Sequence, residues 1–165
     1  MVPRSLQVSE ANSYYPLGDI VWRGDAYGDR HAQIEAILSD SMGLARAGHR
    51  GSVPAVVEIE VKRFHSLTEK TRFSVGGVHS IRFDLTLRDP KTGVALAPTR
   101  EIRADLKEYG GQRAMEAERQ GLTQKLRVTR HLANVLRSEL ERPGSMSGNR
   151  GITQLVAGLE TGDPI

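Results

Sequence analysis

Three runs of alternating side chains constrain this chain more than any other feature. Val53, Ala55, Val57, Ile59 and Val61 are interleaved with Glu58, Glu60 and Lys62. Ile81, Phe83, Leu85 and Leu87 alternate with Arg82, Asp84, Thr86 and Arg88, and Ile102, Ala104 and Leu106 alternate with Glu101, Arg103, Asp105 and Lys107. A period of two belongs to a strand with one face buried and the other wet. The Asp89-Pro90-Lys91-Thr92-Gly93 segment is a reversal, since proline presets φ and glycine supplies positive φ. The three runs therefore predict an antiparallel meander whose wet face carries charges of both signs, able to pair across strands.

Two periodic stretches flank it. After Asp29, an N-cap residue, Ile34, Ile37, Leu38, Met42 and Ala45 recur at spacings of three and four until Gly48. From Gln112 to about Glu141 the stripe Met115, Leu122, Leu126, Ala133, Leu136 and Leu140 describes a second helix. At 1.5 Å per residue that helix would reach about 45 Å, so it either overhangs the sheet or bends at Gly121. Leu6 and Val8 alternate with Ser5, Gln7 and Ser9 as a short first strand, and residues 14–29 read as an ordered loop around the apolar island Ile20, Val21 and Trp22. The predicted fold is α+β: a mixed four-stranded sheet in the order strand, helix, three-strand meander, helix, with both helices on one face. Residues 1–142 are expected to form one α/β domain, and residues 143–165, beginning Pro143-Gly144-Ser145, a flexible linker and tail.

Chemistry is harder to find. With no cysteine among 165 residues, disulfide scaffolds, iron–sulfur proteins and thiol enzymes are excluded. The five histidines, His31, His49, His65, His79 and His131, form no HxH, HxxxH or HExxH pattern, so no metal site is expected. His65 and His79 bracket the long connection between the first two meander strands and are expected on the surface at the mouth of a hairpin, facing one another. Neither a GxSxG elbow nor a Walker loop is present, and Gly76-Gly77 precedes a strand rather than a helix. No cofactor is implied, and a non-enzymatic role is expected. Trp22, Tyr14, Tyr15 and Phe73 lie in glycine-rich or charged loops, where large aromatics serve as contact anchors or as lids on the sheet. With His65 and His79 they are the candidate partner-binding residues. Arg127, Arg130 and Arg137 share one face of the second helix, and 23 basic against 20 acidic residues leave a net charge of +3, so that face is an alternative site for nucleic acid or another polyanion.

Residues 9–23 (SEANSYYPLGDIVWR), 63–83 (RFHSLTEKTRFSVGGVHSIRF) and 104–124 (ADLKEYGGQRAMEAERQGLTQ) together resemble a family of uncharacterised alphaproteobacterial proteins predicted to be lipoproteins. More distantly, the order of elements resembles small α/β domains of envelope assembly lipoproteins, in which a helix-covered sheet is a docking unit. The resemblance implies a periplasmic, lipid-anchored protein that binds a protein partner or itself, with no catalytic residues. The anchor is then expected upstream of Met1, because the chain itself contains neither a signal-peptide apolar stretch nor a lipobox cysteine. The alternative is a cytoplasmic polyanion-binding protein using Arg127, Arg130 and Arg137.

Overall fold

The structure is a computed structural model that describes residues 1–47, 51 and 53–142. In chain order the elements are β1 (Ile20–Val21), α1 (Arg30–Arg46), β2 (Val56–His65), α2 (Glu69–Arg72), β3 (Gly77–Arg88), β4 (Arg100–Arg103), β5 (Leu106–Glu108), α3 (Gly111–Arg119) and α4 (Gln124–Glu141). The sheet order is β1-β2-β3-β4, with β5 also on β3; β1 is parallel to β2 and the other pairs are antiparallel. The expected α+β class and the meander are both present. Gly48, the expected helix stop, and the tail from Pro143 lie outside the described residues.

The meander holds because its apolar faces converge on two helices. Val61, Phe64, Ile81, Phe83, Leu85 and Ile102 form one cluster with Ile34, Ile37 and Leu38 of α1 and Val128, Leu132 and Leu136 of α4. At the crossing of the helices Ser41 is wholly buried, its Oγ between the carbonyls of Ile37 (2.6 Å) and Thr129 (3.1 Å). Asp29 caps α1 as its position predicts, accepting from the Ala32 N–H at 3.1 Å. On the wet face, Arg88 reaches Glu58 across the strands at 2.7 Å and Lys62 reaches Asp84 at 3.3 Å.

The first strand is not where alternation places it. Ile20 and Val21 pair with Phe64 and His65, and the Leu6–Val8 stretch only bridges onto the outside of Ile20 through Val8. Ile20, Val21 and Trp22 are all fully buried, the continuous apolar run of a parallel strand rather than the alternation of a half-wet one. β1 covers only Phe64 and His65 of the ten-residue β2, and Met1 adds bonds to Ile59 and Val61, so the start of β2 from Val56 has no strand beside it on the side away from β3 among the described residues.

Two interruptions refine the meander. Val61 faces Phe83 but Arg63 faces Arg82, so β2 carries a bulge at Lys62, and both Val61 and Phe64 enter the core. The third run splits into β4 and β5 without losing register: Arg82 faces Arg103 and His79 faces Leu106. In the gap, the Asp105 side chain accepts the Ile81 N–H at 3.1 Å. The long helix also divides. Gly121 at φ +76 closes α3 with bonds from its own N–H to the Glu118 carbonyl (2.9 Å) and from the Leu122 N–H to the Ala117 carbonyl (2.8 Å). Thr123 then caps α4 by accepting from the Leu126 N–H at 3.2 Å. The break resets the helical phase, so α3 buries Ala114 and Ala117 while Met115, expected in the stripe, is exposed.

Candidate functional site

Past the bulge, β2 turns Phe64 inward and His65 outward, and the chain leaves the sheet through Ser66 and Leu67 into α2. The long connection between the first two meander strands is thus a short helix and a turn, entered directly from the end of β2. Thr68 caps that helix, accepting from the Thr71 N–H at 3.3 Å and donating to the Ser13 carbonyl at 2.8 Å. Asn12 accepts the Lys70 N–H at 2.9 Å, and the His65 ring bonds the Pro16 carbonyl through Nε2 at 2.9 Å. These bonds hold residues 12–16 against α2 and enclose a cleft of about 360 Å³, lined by Tyr14, Tyr15 and Pro16 on one side, His65 and Ser66 at the base, and residues 75–78 opposite. Tyr15 is 90% exposed and Tyr14 is 43% exposed, the latter with the Lys70 ammonium 4.7 Å from its ring centre.

The opposite wall is backbone on backbone. Gly76 has φ +73 and passes so close to Gly110 that a Cβ on Gly110 would lie 2.4 Å from the Gly76 nitrogen. Only glycine permits that approach, which brings the start of β3 against the chain leaving β5.

Beneath the base lies a chain of buried polar groups. Ser66 Oγ is 2.9 Å from His79 Nδ1, and His79 Nε2 is 3.2 Å from Glu108 Oε2. Arg127 Nε donates to Glu108 at 2.9 Å, the Tyr109 N–H donates to it at 2.9 Å, and Gln124 donates to both Ser66 Oγ and the Leu67 carbonyl. A carboxylate only accepts, so His79 Nε2 carries a proton toward Glu108, and the Ser66 oxygen accepts from Gln124. Burial alone would raise the Glu108 pKa. The hydrogen bonds from His79 and Arg127, the Tyr109 N–H and the Arg127 charge outweigh it and hold the group at about 2. The layer under Ser66 is therefore ionised at Glu108 and held in place by these bonds.

Among the expected partner-binding residues, Tyr14, Tyr15 and His65 meet in this cleft. Phe73 ends α2 outside its lining, partly exposed beside the Arg72 guanidinium. Two expectations are corrected. Trp22 is no surface anchor: it is wholly buried, edge-on to Phe64 at 5.7 Å, with its N–H on Asp25 at 2.8 Å. His79 is no surface histidine either. It lies on the core face of β3, where β5 and α4 cover it, and His65 pairs with Ser80 on the other face. On α4, Arg127 is spent on Glu108 and Arg137 on the Leu44 carbonyl at 2.8 Å, which leaves Arg130 exposed without a partner among the described residues. Two of the three arginines of the expected basic face are thus engaged by acceptors of the protein itself while remaining partly exposed. No group of three or more His, Asp or Glu residues is placed to hold a metal among the described residues, and no described helix is long and apolar enough to cross a membrane. The sequence reading missed Ser66, Glu108 and Gln124. Glu108 left a trace, as a charge that extends the apolar series Ile102, Ala104 and Leu106 on the core face.

Fold and site together define a small α+β domain with a polar-floored, aromatic-rimmed cleft at the end of its sheet. The chain belongs to DUF6778, a family of unknown function whose model matches residues 1–154, a span that contains all three stretches on which the sequence resemblance rests. No curated protein matches the chain. Among solved structures it is similar to the crystal structure of a "putative lipoprotein" from Caulobacter crescentus CB15, at 17% sequence identity over 85% of this chain and 90% of that one, with a TM-score of 0.30.

Proposed function

We infer that this is a non-enzymatic binding or assembly domain of the bacterial cell envelope, which receives a protein partner in the cleft between residues 14–16 and α2. The observation that carries the reading is the pairing of rigid and open parts. Tyr14 and Tyr15 stand exposed at the rim, while the base beneath them is locked by the Ser66–His79–Glu108–Arg127 chain. Tyrosines at the edge of a preformed concavity supply large contact area for little loss of side-chain freedom, and a fixed base removes the cost of ordering the site. The envelope location is supported by the likeness of residues 9–23, 63–83 and 104–124 to predicted lipoproteins. The test is a photo-crosslinking residue placed at Tyr15 in the native host. A discrete envelope adduct is expected, lost on Tyr14→Ala and absent when the crosslinker stands at exposed Val94. Recovery of the protein in the cytosol without such an adduct would overturn the reading.

One arrangement favours a second reading, a serine hydrolase. Ser66, His79 and Glu108 are bonded in the order nucleophile, base and orienting acid, although the ring nitrogens are used in the reverse sense to the usual triad. Ser66 is only 2% exposed and its oxygen already accepts from Gln124, which suits a structural role better than attack. A fluorophosphonate probe separates the readings, since covalent labelling at Ser66 would establish the hydrolase.

A further inference from the structure

On the solvent face of the sheet the register sorts charges into rows. Glu60, Asp84 and Glu101 stand side by side across β2, β3 and β4, and in the next row of the same face so do Arg63, Arg82 and Arg103. The acid row is neutralised from within: Lys62 meets Glu60 at 2.6 Å and Asp84 at 3.3 Å, and Arg103 meets Glu101 at 3.2 Å. The arginine row is not. The side chains of Arg63 and Arg82 make no hydrogen bond or ion pair with any described residue, and Arg82 Nε is shut away from solvent with no partner. The bulge at Lys62 creates this row, because an unbroken register would set Lys62 opposite Arg82 and turn Arg63 inward. Neighbouring strands are about 4.8 Å apart, so three arginines originate within about 10 Å of one another. Like charges directly opposite one another are destabilising, and nothing in the described structure relieves two of them.

We propose that Arg63, Arg82 and Arg103 form a binding site for a compact, multiply charged oxyanion of the phosphate class, the size of pyrophosphate. Guanidinium forks match phosphate oxygens in pairs, and a multiply charged anion relieves the repulsion across the row. The row spans only about 10 Å and is flanked along the strands by acids already paired with Lys62 and Arg103, so the unpaired positive charge is confined to a spot that fits a small anion better than a bilayer or a nucleic acid. The site shares the solvent face of the sheet with His65, one row further along the strands, but uses no residue of the cleft lining and does not depend on the function proposed above.

The test is calorimetric titration of the full chain with inorganic pyrophosphate at low ionic strength. Saturable one-to-one binding is expected, weakened at least tenfold by Arg82→Gln, abolished by Arg63→Gln with Arg82→Gln, and unchanged by Lys91→Gln in the distant turn. Pyrophosphate should also raise the Tm of the wild type and leave that of the folded double variant unmoved. The proposal is overturned if binding does not saturate, or if the double variant binds or is stabilised as well as the wild type. Cosedimentation with phosphatidylglycerol vesicles, lost on Arg82→Gln and unaccompanied by any pyrophosphate binding, would overturn it in favour of a lipid surface.

Discussion

Replacing Glu108 with glutamine tests whether the floor of the cleft is held by charge or only by shape. The carboxyl sits at about 2 instead of its ordinary 4.5, which corresponds to roughly 3 kcal/mol of preference for the ionised form in the folded protein. Its side chain is 1% exposed, so solvent does not screen the bonds from His79 and Arg127. Because the folded-state pKa lies below the unfolded one, this contribution is complete above about pH 4.5. It declines as the pH falls through that interval and is gone below about pH 2. Glu108→Gln keeps the shape and one acceptor but removes the charge, so it should cost about 2–3 kcal/mol at pH 7. Urea unfolding followed by the single tryptophan, Trp22, which is buried in the core, gives both stabilities. The gap between wild type and variant should narrow to under about 1 kcal/mol by pH 2.5. Comparing the two proteins cancels the other carboxylates that titrate in this range. A gap of the same size at pH 7 and pH 2.5 would refute the argument.

Gly110→Ala drives a Cβ to 2.4 Å from the Gly76 nitrogen and should cost more than about 3 kcal/mol, whereas Gly121→Ala, at φ +76 with nothing within 4 Å, should cost about 1–2 kcal/mol. Equal losses in urea unfolding would contradict that distinction. Arg100→Met leaves the wholly buried Glu139 without its guanidinium and should cost about 3–5 kcal/mol, while Arg100→Met combined with Glu139→Leu should recover most of it. A double variant no more stable than the single one would show the pair to be worth more than its apolar replacement. Tyr15→Ala should leave stability within about 0.5 kcal/mol and weaken partner retention at least tenfold, checked by thermal unfolding beside crosslinking yield.

The parts of the fold legible in the sequence are those where local pattern and final burial coincide. Ile81, Phe83 and Leu85 read as core-facing and are buried, and Asp29 reads as a cap and is one. The misreadings occur where tertiary context decides. Leu6 and Val8 alternate correctly for a strand, yet Ile20 and Val21 take the place beside β2 because three successive apolar side chains can be buried there. The bulge at Lys62 left no mark in composition, although it determines which of two adjacent basic residues joins the arginine row. Gly121 was legible as a point of weakness, and only Thr123 after it shows that the helix restarts instead of bending.

The site was legible at its rim and hidden at its base, for a physical reason. Rim residues announce themselves by being large and aromatic in a loop, whereas a buried polar group looks in sequence like any surface charge until its partner is known. The core face of β4 and β5 shows how such groups could be recognised: its apolar series is bracketed by Arg100 and Glu108, two charges on the side that packs against helices. Each meets its countercharge on α4, Arg100 with Glu139 near the end of the helix and Glu108 with Arg127 near its start. Apolar contacts alone would tolerate sliding of α4 along the sheet, but two buried ion pairs about three helical turns apart permit one register. That register sets Gln124 against Ser66 and Leu67, so the position of the helix and the rigidity of the cleft floor have the same cause.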